Sequence, residues 1–462
     1  MAAVLVGAAL LWQAHRWYAE GRPERYLAIV LIALLVESIV YPSQAAVPVG
    51  PFRIPALGGT IRLHDLLVVV GVLAAAWSRP IPVRLTGVGV AWMLSFAWMV
   101  TACVIGLLSG NPINVIMFQM GSVAGLFGGY LLTSSCDPRR VAALFRRRWV
   151  LPLGVFVSFA ALNQASDQPL EFFGTGVGTI SVDTASVFMA AALMVVVIQW
   201  GSFRRDRAAL YAAAPLALCP LAIEQRATLL AAIAAWFVVL AFVLFPTFKQ
   251  RMVIRRSELA FGAAVVFGAL LAVALVSLSD DEGSLPLAAY YEQTFETESQ
   301  RLSAQARIES LGVGLEQWRS SPVFGLGLGE QYTVVRPGRD VPVVVATFDN
   351  VAMDLLVRSG AVGLVLVVIA LSLSIAEGIR SWRAHHDRPS AVLAPAATAI
   401  LVGLIAKAGV ESILEKGKLA LVLGLTAGLI SATVRNRRQD VSYLHGPTEP
   451  AGLDGAREHT WI

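Results

Sequence analysis

Apolar residues in this chain occur in long blocks, each near the length of a membrane-spanning helix and bounded by short charged stretches. A bilayer core is about 30 Å thick, so a helix needs roughly 20 residues to cross it. Backbone polar groups cannot stay unpaired in lipid, and no block alternates as a transmembrane barrel strand would, so the blocks are predicted to be helices. The predicted spans are 2–14, 26–41, 63–78, 87–108, 112–133, 149–162, 184–200, 209–223, 227–245, 258–278, 350–376, 391–408 and 418–434.

This pattern predicts an all-α polytopic membrane protein with about 12–13 transmembrane helices. The first block is the weakest, and 2–14 is either a span or a signal-like segment, although it lacks a basic n-region and a small-residue cleavage site. Composition agrees with a membrane protein, since 56% of the residues are hydrophobic and 15% are charged. A soluble domain typically carries about 25% charged residues.

Basic residues predict the orientation of the spans. Arginine clusters fall in alternate loops, and placing all of them in the cytoplasm gives one consistent topology. The N-terminus is then outside, the C-terminus is inside, and 42–62, 163–182 and 279–349 face outward. The net charge of +5 is dispersed among the spans, so we expect membrane lipids and no nucleic acid as partners.

The long outward loop divides the chain into four regions. Within the loop, 296–320 is predicted to be a helix that ends at Ser321-Pro322, before a Gly-rich turn at 324–329. The four regions are 1–278 (N-terminal transmembrane helices), 279–349 (large periplasmic loop), 350–434 (C-terminal transmembrane helices) and 435–462 (polar cytoplasmic tail).

The three cysteines, Cys103, Cys136 and Cys219, have no spacing typical of a zinc site or a disulfide framework. We therefore expect neither a zinc site nor a disulfide.

Arginines near the membrane surface are the first candidate functional residues. Arg226 follows Glu224 in a very short outward turn, where a charge near the hydrocarbon is either functional or extends to lipid head groups. Arg301 and Arg307 lie on the predicted loop helix, where they either bind phosphate through the guanidinium fork or form solvated ion pairs.

Carboxylates at helix starts form the second group. Asp349 and Asn350 open one span and Asp65 opens another. Asp and Asn favour helix caps, and a carboxylate beside a phosphate site can also act as a general base. The glycines of the turn lack the spacing of a dinucleotide-binding motif, and they more simply allow close backbone approach.

Taken together, the order of these motifs resembles the O-antigen ligase and polymerase superfamily. The family pattern is an Arg, a Trp about ten residues later, a Pro-x-x-Gly-x-Gly turn, and then a His-Asn pair at the head of a span with Gly-x-x-Gly. The matching residues are Arg226, Arg307, Trp318, Pro322, Gly325, Gly327, Asn350, Gly360 and Gly363, with Asp65 where many members have an acidic residue. The resemblance covers residues 220–365 by motif and the rest only by span count.

The resemblance implies a GT-C-like, inverting glycosyltransferase at the outer face of the bacterial inner membrane, with no metal site and no cofactor. Its donor would be an oligosaccharide on undecaprenyl pyrophosphate, and its partners would include a chain-length regulator or a flippase. Arg226, Arg307 and Asp349 would be catalytic. Substrate-binding roles would fall to Arg301, Trp318, Gly325, Gly327, Asn350, Glu224 and Asp65.

One departure shapes the expected activity. The ligases carry a His, their proposed base, where this chain has Asp349. This favours a polysaccharide polymerase, with an O-antigen ligase as the alternative. A transporter or flippase of lipid-linked oligosaccharide is the alternative of another class, although transporters place charges near mid-span and break helices at matched positions.

Overall fold

The computed structural model describes the transmembrane helices in part, together with the second half of the long loop. The predicted spans 149–162 and 258–278, and all of 209–223 except residue 213, lie outside the described residues. The described residues are 2–40, 53–56, 59–78, 86–145, 171–172, 175–176, 182–200, 213, 226–244, 298–335, 342–348, 350–385, 392–409, 411 and 417–444.

Helices dominate this part of the chain. They are α1 (Ala2–Ala19), α2 (Pro23–Val40), α3 (Leu63–Ser78), α4 (Gly87–Leu108), α5 (Ile113–Ser134), α6 (Pro138–Phe145), α7 (Val182–Trp200), α8 (Arg226–Leu244), α9 (Glu298–Ser320), α10 (Val351–His385), α11 (Leu393–Ala408) and α12 (Gly417–Leu444). Three antiparallel hairpins join β1 (Arg53–Ala56) to β2 (Gly59–Arg62), β3 (Glu171–Phe172) to β4 (Thr175–Gly176), and β5 (Tyr332–Val335) to β6 (Pro342–Val345).

Four of the described helices are long and apolar enough to cross a bilayer. They lie at Gly87–Leu108, Ile113–Ser134, Val351–Trp382 and Gly417–Arg435, and four shorter apolar helices accompany them. This confirms a mostly helical membrane protein.

Several helix boundaries differ from prediction. Helix α1 runs on to Ala19, and α12 continues to Leu444, so the predicted polar tail begins as helix. The eight-residue α6 was not predicted, because it is too short to cross a bilayer and is not apolar throughout.

Helices α5 and α12 pack side by side through small residues on both. Gly125 and Gly129 of α5 face α12, and a Cβ at Gly424 of α12 would overlap the carbonyl of Leu126. A glycine on every fourth residue lets two helix backbones approach closely, which is how many membrane helices associate. The window Gly417–Arg435 of α12 is accordingly 100% buried inside the bundle.

One end of the bundle carries the described part of the long loop. There α2, α4 and α11 end, α3, α5, α7, α8, α10 and α12 begin, and α9 packs with the β5–β6 hairpin. We call this the loop end, and we call the opposite end, where α6 packs, the tail end.

Candidate functional site

Helix α10 is interrupted near the loop end. Gly360 has non-helical backbone angles (φ 67°, ψ −174°), and the amide of Ala361 donates outside the helix, to the carbonyl of Pro322 at 2.9 Å. A break of this kind leaves helix carbonyls without their usual donors four residues on. In a membrane helix those carbonyls need other partners.

The Gly-rich turn supplies those partners. The amide of Leu326 donates to the carbonyl of Val357 at 2.7 Å, and the amide of Gly327 donates to that of Arg358 at 3.0 Å. The turn and the broken helix therefore satisfy each other's backbone hydrogen-bonding groups. The turn is part of the bundle rather than a surface loop.

The same turn packs against the end of α4. The amide of Leu328 donates to the carbonyl of Ala102 at 2.9 Å, and the side chain of Asn111 donates to the Leu328 carbonyl at 2.9 Å. Gly327 has φ 87°, and a Cβ there would overlap the backbone of Gly106. Glycine is therefore required here both by conformation and by space.

A buried ion pair joins α10 to the segment after β6. Nη1 of Arg358 lies 2.5 Å from Oδ2 of Asp354, and the two side chains are 7% and 2% exposed. Arg358 also donates to the carbonyl of Ala346, and Oδ1 of Asp354 accepts the amide of Phe348 at 3.2 Å. Hydrogen bonds on both partners are what a buried pair needs to offset desolvation.

A small aromatic core fastens α9 to this segment. The rings of Tyr332 and Phe348 stack with centroids 4.1 Å apart, and the hydroxyl of Tyr332 lies 3.1 Å from Oγ of Ser310 on α9. Met353 of α10 and Phe348 both reach Gly314 of α9. Helix α9, which carries Arg301 and Arg307, is thereby held over the loop end.

Asn350 caps α10. Its Oδ1 accepts the amides of Ala352 at 2.8 Å and Met353 at 3.3 Å, and its Nδ2 donates to the carbonyl of Gly409 at 2.8 Å. The side chain thus stabilises the helix start and ties it to the end of α11.

Titratable side chains meet where α2 ends and α3 begins. Nδ1 of His64 lies 2.5 Å from Oε2 of Glu37, and Nε2 of His64 lies 3.3 Å from Oδ1 of Asp65. The side chain of Asp65 is 20% exposed, whereas those of His64 and Glu37 are 0% and 1% exposed. Asp65 is therefore the member of the group that faces outward.

Lys407 forms a second polar cluster, between α7, α8 and α11. Its Nζ donates to Oγ of Ser186 and Oγ1 of Thr228, both at 2.9 Å, and pairs with Glu411 at 3.2 Å. Arg226 opens α8 in the same helical turn as Thr228, so its backbone belongs to this neighbourhood.

The remaining predicted residues are placed only in part. Arg301 and Arg307 lie on α9, but their side chains, like that of Arg226, lie outside the described part of the structure. Asp349 and Glu224 are themselves outside it. Nε1 of Trp318 donates to the carbonyl of Pro322 at 2.9 Å, which closes the chain reversal after α9.

Sequence reasoning missed three charged residues of the loop end. Glu37 is a charge in the last turn of an otherwise apolar span, which is a recognisable signal. Arg358 stands one helical turn after Asp354, and this spacing permits an ion pair. Glu330 follows the Gly-rich turn, and partial burial raises the pKa of its carboxyl.

No group of three or more His, Cys, Asp or Glu side chains among the described residues is arranged to hold a metal ion. The loop end instead offers hydrogen-bonding and charged groups at a membrane surface. Comparisons with protein-family models and with curated protein sequences found no match to this chain. The fold and composition define a helical membrane protein.

Proposed function

We propose that this chain is a membrane glycosyltransferase with a GT-C-like helical architecture. It acts at the outer face of the bacterial inner membrane, on glycan carried by undecaprenyl pyrophosphate, and it polymerises repeat units of a surface polysaccharide. One observation carries the proposal. Asp65, the start of α8 at Arg226, the Gly-rich turn and Asn350 are far apart in sequence, and all lie at the loop end.

The expected chemistry is an inverting substitution. The acceptor hydroxyl attacks the anomeric carbon, the bond from that carbon to the pyrophosphate oxygen breaks, and the lipid pyrophosphate leaves with the electron pair. Cations aimed at the leaving group stabilise its developing charge, and we assign Arg226 and Arg307 to this role. A carboxylate takes the hydroxyl proton, and the resemblance points to Asp349.

Transport is a second candidate function, and one observation favours it. Helix α10 is discontinuous, and transporters bind their substrates at broken helices. The break at Gly360, however, lies near the loop end and is filled by the Gly-rich turn of the same chain. Transporter breaks line a substrate path near the bilayer midplane, so we favour the enzyme.

Reconstitution separates these activities. The purified chain is placed in liposomes with undecaprenyl-pyrophosphate-linked repeat units, and products are resolved by length. A ladder of lengthened glycan supports the polymerase, and transfer only to an added lipid acceptor supports the ligase. Movement of the substrate between leaflets with no new glycosidic bond would replace the enzyme proposal with transport.

Cysteine labelling tests whether the loop end faces outward. In a variant without the three native cysteines, Thr333→Cys at the loop end should react with an impermeant thiol reagent added to whole cells with a permeabilised outer membrane. Arg380→Cys, whose native side chain is 63% exposed at the tail end, should react only after lysis. The reverse pattern would contradict the proposed outer-face activity.

A further inference from the structure

The Gly-rich turn lies below the ends of the two helices that hold it. Its Leu328 amide donates to the carbonyl of Ala102, about six residues before α4 ends at Leu108. A Cβ at Gly360, about nine residues after α10 begins, would overlap the carbonyl of Val323. At about 1.5 Å per helical residue, these two positions lie roughly 9 and 14 Å from the helix ends. The turn therefore re-enters the bundle from the loop end.

The tip of this turn is apolar and lies on the outside of the bundle. Val323 and Phe324 are 49% and 56% exposed. The ring of Phe324 stacks on that of Trp98 of α4, with centroids 5.8 Å apart and planes 27° apart. Trp98 is itself fixed by its Nε1, which donates to the carbonyl of Ser359 at 2.8 Å. The tip is thus held against α4 with part of its apolar surface uncovered.

The surface of α4 beside the tip indicates what covers it. This helix has no charged residue from Trp98 to Leu108. Val100, Val104 and Leu108 are 40%, 48% and 84% exposed. Exposed apolar side chains on a membrane-spanning helix face hydrocarbon. Because α4 keeps this character up to its end, the hydrocarbon extends past the level of Trp98, and the tip is continuous with the lipid-facing surface.

The backbone of the turn meets the requirement that lipid imposes. Irregular backbone is tolerated at membrane depth only where other groups satisfy its donors and acceptors. The carbonyl of Pro322 accepts the amide of Ala361, and the amide of Gly325 donates to the carbonyl of Ser321, both at 2.9 Å. Oγ of Ser321 donates in turn to the carbonyl of Gly325 at 2.9 Å. With the bonds to α10 and α4 described above, these contacts pair much of the backbone within the protein, so the apolar side chains can meet lipid.

The chain becomes less polar as it approaches the tip. Glu316 and Arg319 of α9 are exposed, and Trp318 between them is half-buried. Tryptophan is enriched at the level of the lipid head groups, and a long arginine side chain can extend to that level. Val323 and Phe324 then follow. This order is expected of a chain that enters a leaflet from the water side.

We propose that the Gly-rich turn is a re-entrant anchor whose tip, Val323 and Phe324, inserts among the acyl chains of the leaflet at the loop end. The partner is the bilayer itself, and the contact needs no particular head group. Helix α9 leads directly into the turn, so the anchor fixes the position of α9 relative to the membrane. The anchor does not depend on the proposed reaction.

The first test uses the unaltered chain in liposomes. These contain a phospholipid with a photoactivatable diazirine in the middle of one acyl chain, and lipid adducts are located by mass spectrometry after proteolysis. Adducts should appear at Val323 or Phe324 and at Val104 of α4. Thr333, an exposed residue of β5, should carry none. Adducts at Val104 without any at the tip would overturn the anchor.

Spin labelling measures the same contact independently. In the variant without native cysteines, Val323→Cys, Val104→Cys and Thr333→Cys are each labelled with a nitroxide. Oxygen dissolves in hydrocarbon and a charge-neutral nickel complex stays in water, so the ratio of their collision rates reports depth. The ratio for Val323→Cys should match that for Val104→Cys and exceed that for Thr333→Cys severalfold.

Two outcomes of the spin-label experiment contradict the anchor. A ratio for Val323→Cys equal to that for Thr333→Cys would place the tip in water. Low collision rates with both reagents would place protein, such as a second copy of this chain, over the tip in place of lipid.

Discussion

The two ends of the bundle differ in how many charged side chains they bury. At the tail end the described ion pairs include exposed partners, as in Arg16–Glu20, where the side chains are 65% and 37% exposed. At the loop end Glu316 and Arg319 of α9 are exposed, but a larger set of charged or imidazole side chains lies inside the protein. Seven charged or imidazole side chains are buried among the described residues, and six of them lie at the loop end. These six are Glu37, His64, Asp354, Arg358, Lys407 and Lys418, and the seventh, Glu24, lies at the tail end.

The two sets of charges differ in what they cost. Exposed arginines at the tail end cost little, and arginine-rich ends are predicted to lie in the cytoplasm. Buried charges require partners and contribute little net stability against apolar replacements. Their concentration at one end therefore argues for a role beyond folding, and it agrees with the placement of the proposed reaction there.

The largest predicted effect concerns the Asp354–Arg358 pair. Arg358→Ala leaves a buried carboxylate uncompensated, and we expect a loss of about 3–5 kcal/mol in the free energy of unfolding in detergent. The tail-end variant Arg16→Ala should show no measurable change. Asp354→Leu combined with Arg358→Met should recover most of the stability. A small loss in Arg358→Ala would mean that the loop end is more hydrated than its geometry indicates.

A second, smaller effect concerns the Gly-rich turn. Gly327→Ala adds a Cβ against the backbone of Gly106 at φ 87°, and we expect a cost of about 2–4 kcal/mol in unfolding free energy. Gly21 at the tail end also has a positive φ, of 68°, but nothing lies within 4 Å of its Cβ position. Gly21→Ala should therefore cost about 1 kcal/mol. Equal costs would show that close packing of the turn adds nothing.

The next prediction compares arginines at the two ends. Arg226→Lys and Arg307→Lys keep the charge but lose the bidentate fork, so each should lower turnover about tenfold or more. Arg301→Lys should have a milder effect, and Arg140→Lys at the tail end should have none. Full turnover of both loop-end variants, at normal protein levels, would show that Arg226 and Arg307 do not bind the leaving group.

The smallest predicted effect concerns the cap of α10. Asn350→Ala should cost about 0.5–2 kcal/mol of unfolding free energy. Asn350→Asp should cost less, since it keeps the cap and loses only the bond to Gly409. A larger fall in turnover than in stability for Asn350→Asp would instead place this amide in contact with substrate.

The helices were predictable where burial in lipid alone defines them. The predicted spans 63–78 and 87–108 match α3 and α4 residue for residue, and the predicted loop helix 296–320 matches α9 within two residues. Length and apolar content determine α3 and α4. Helix α9 lies in the loop instead, and it was recognised from its spaced apolar positions and the Ser-Pro pair at its end.

The contacts between helices were not predictable in the same way. The sequence shows His64 and Glu37 as separate residues near span ends, and only the packing of α2 against α3 joins them. The break at Gly360 is similarly hidden, because a glycine within an apolar run is ordinary in a membrane helix. The Gly-rich turn whose amides pair with the broken segment lies earlier in the chain.

The central place of α12 has a consequence for biogenesis. It follows every other described helix in the chain, yet its apolar window is 100% buried among them. During synthesis the surface of α5 that carries Gly125 and Gly129 has no partner until α12 emerges. The earlier helices must therefore remain loosely associated, or be shielded by insertion factors, until this helix enters between them. Ribosome stalling or truncation before Gly417 would leave an open bundle that quality-control proteases can recognise.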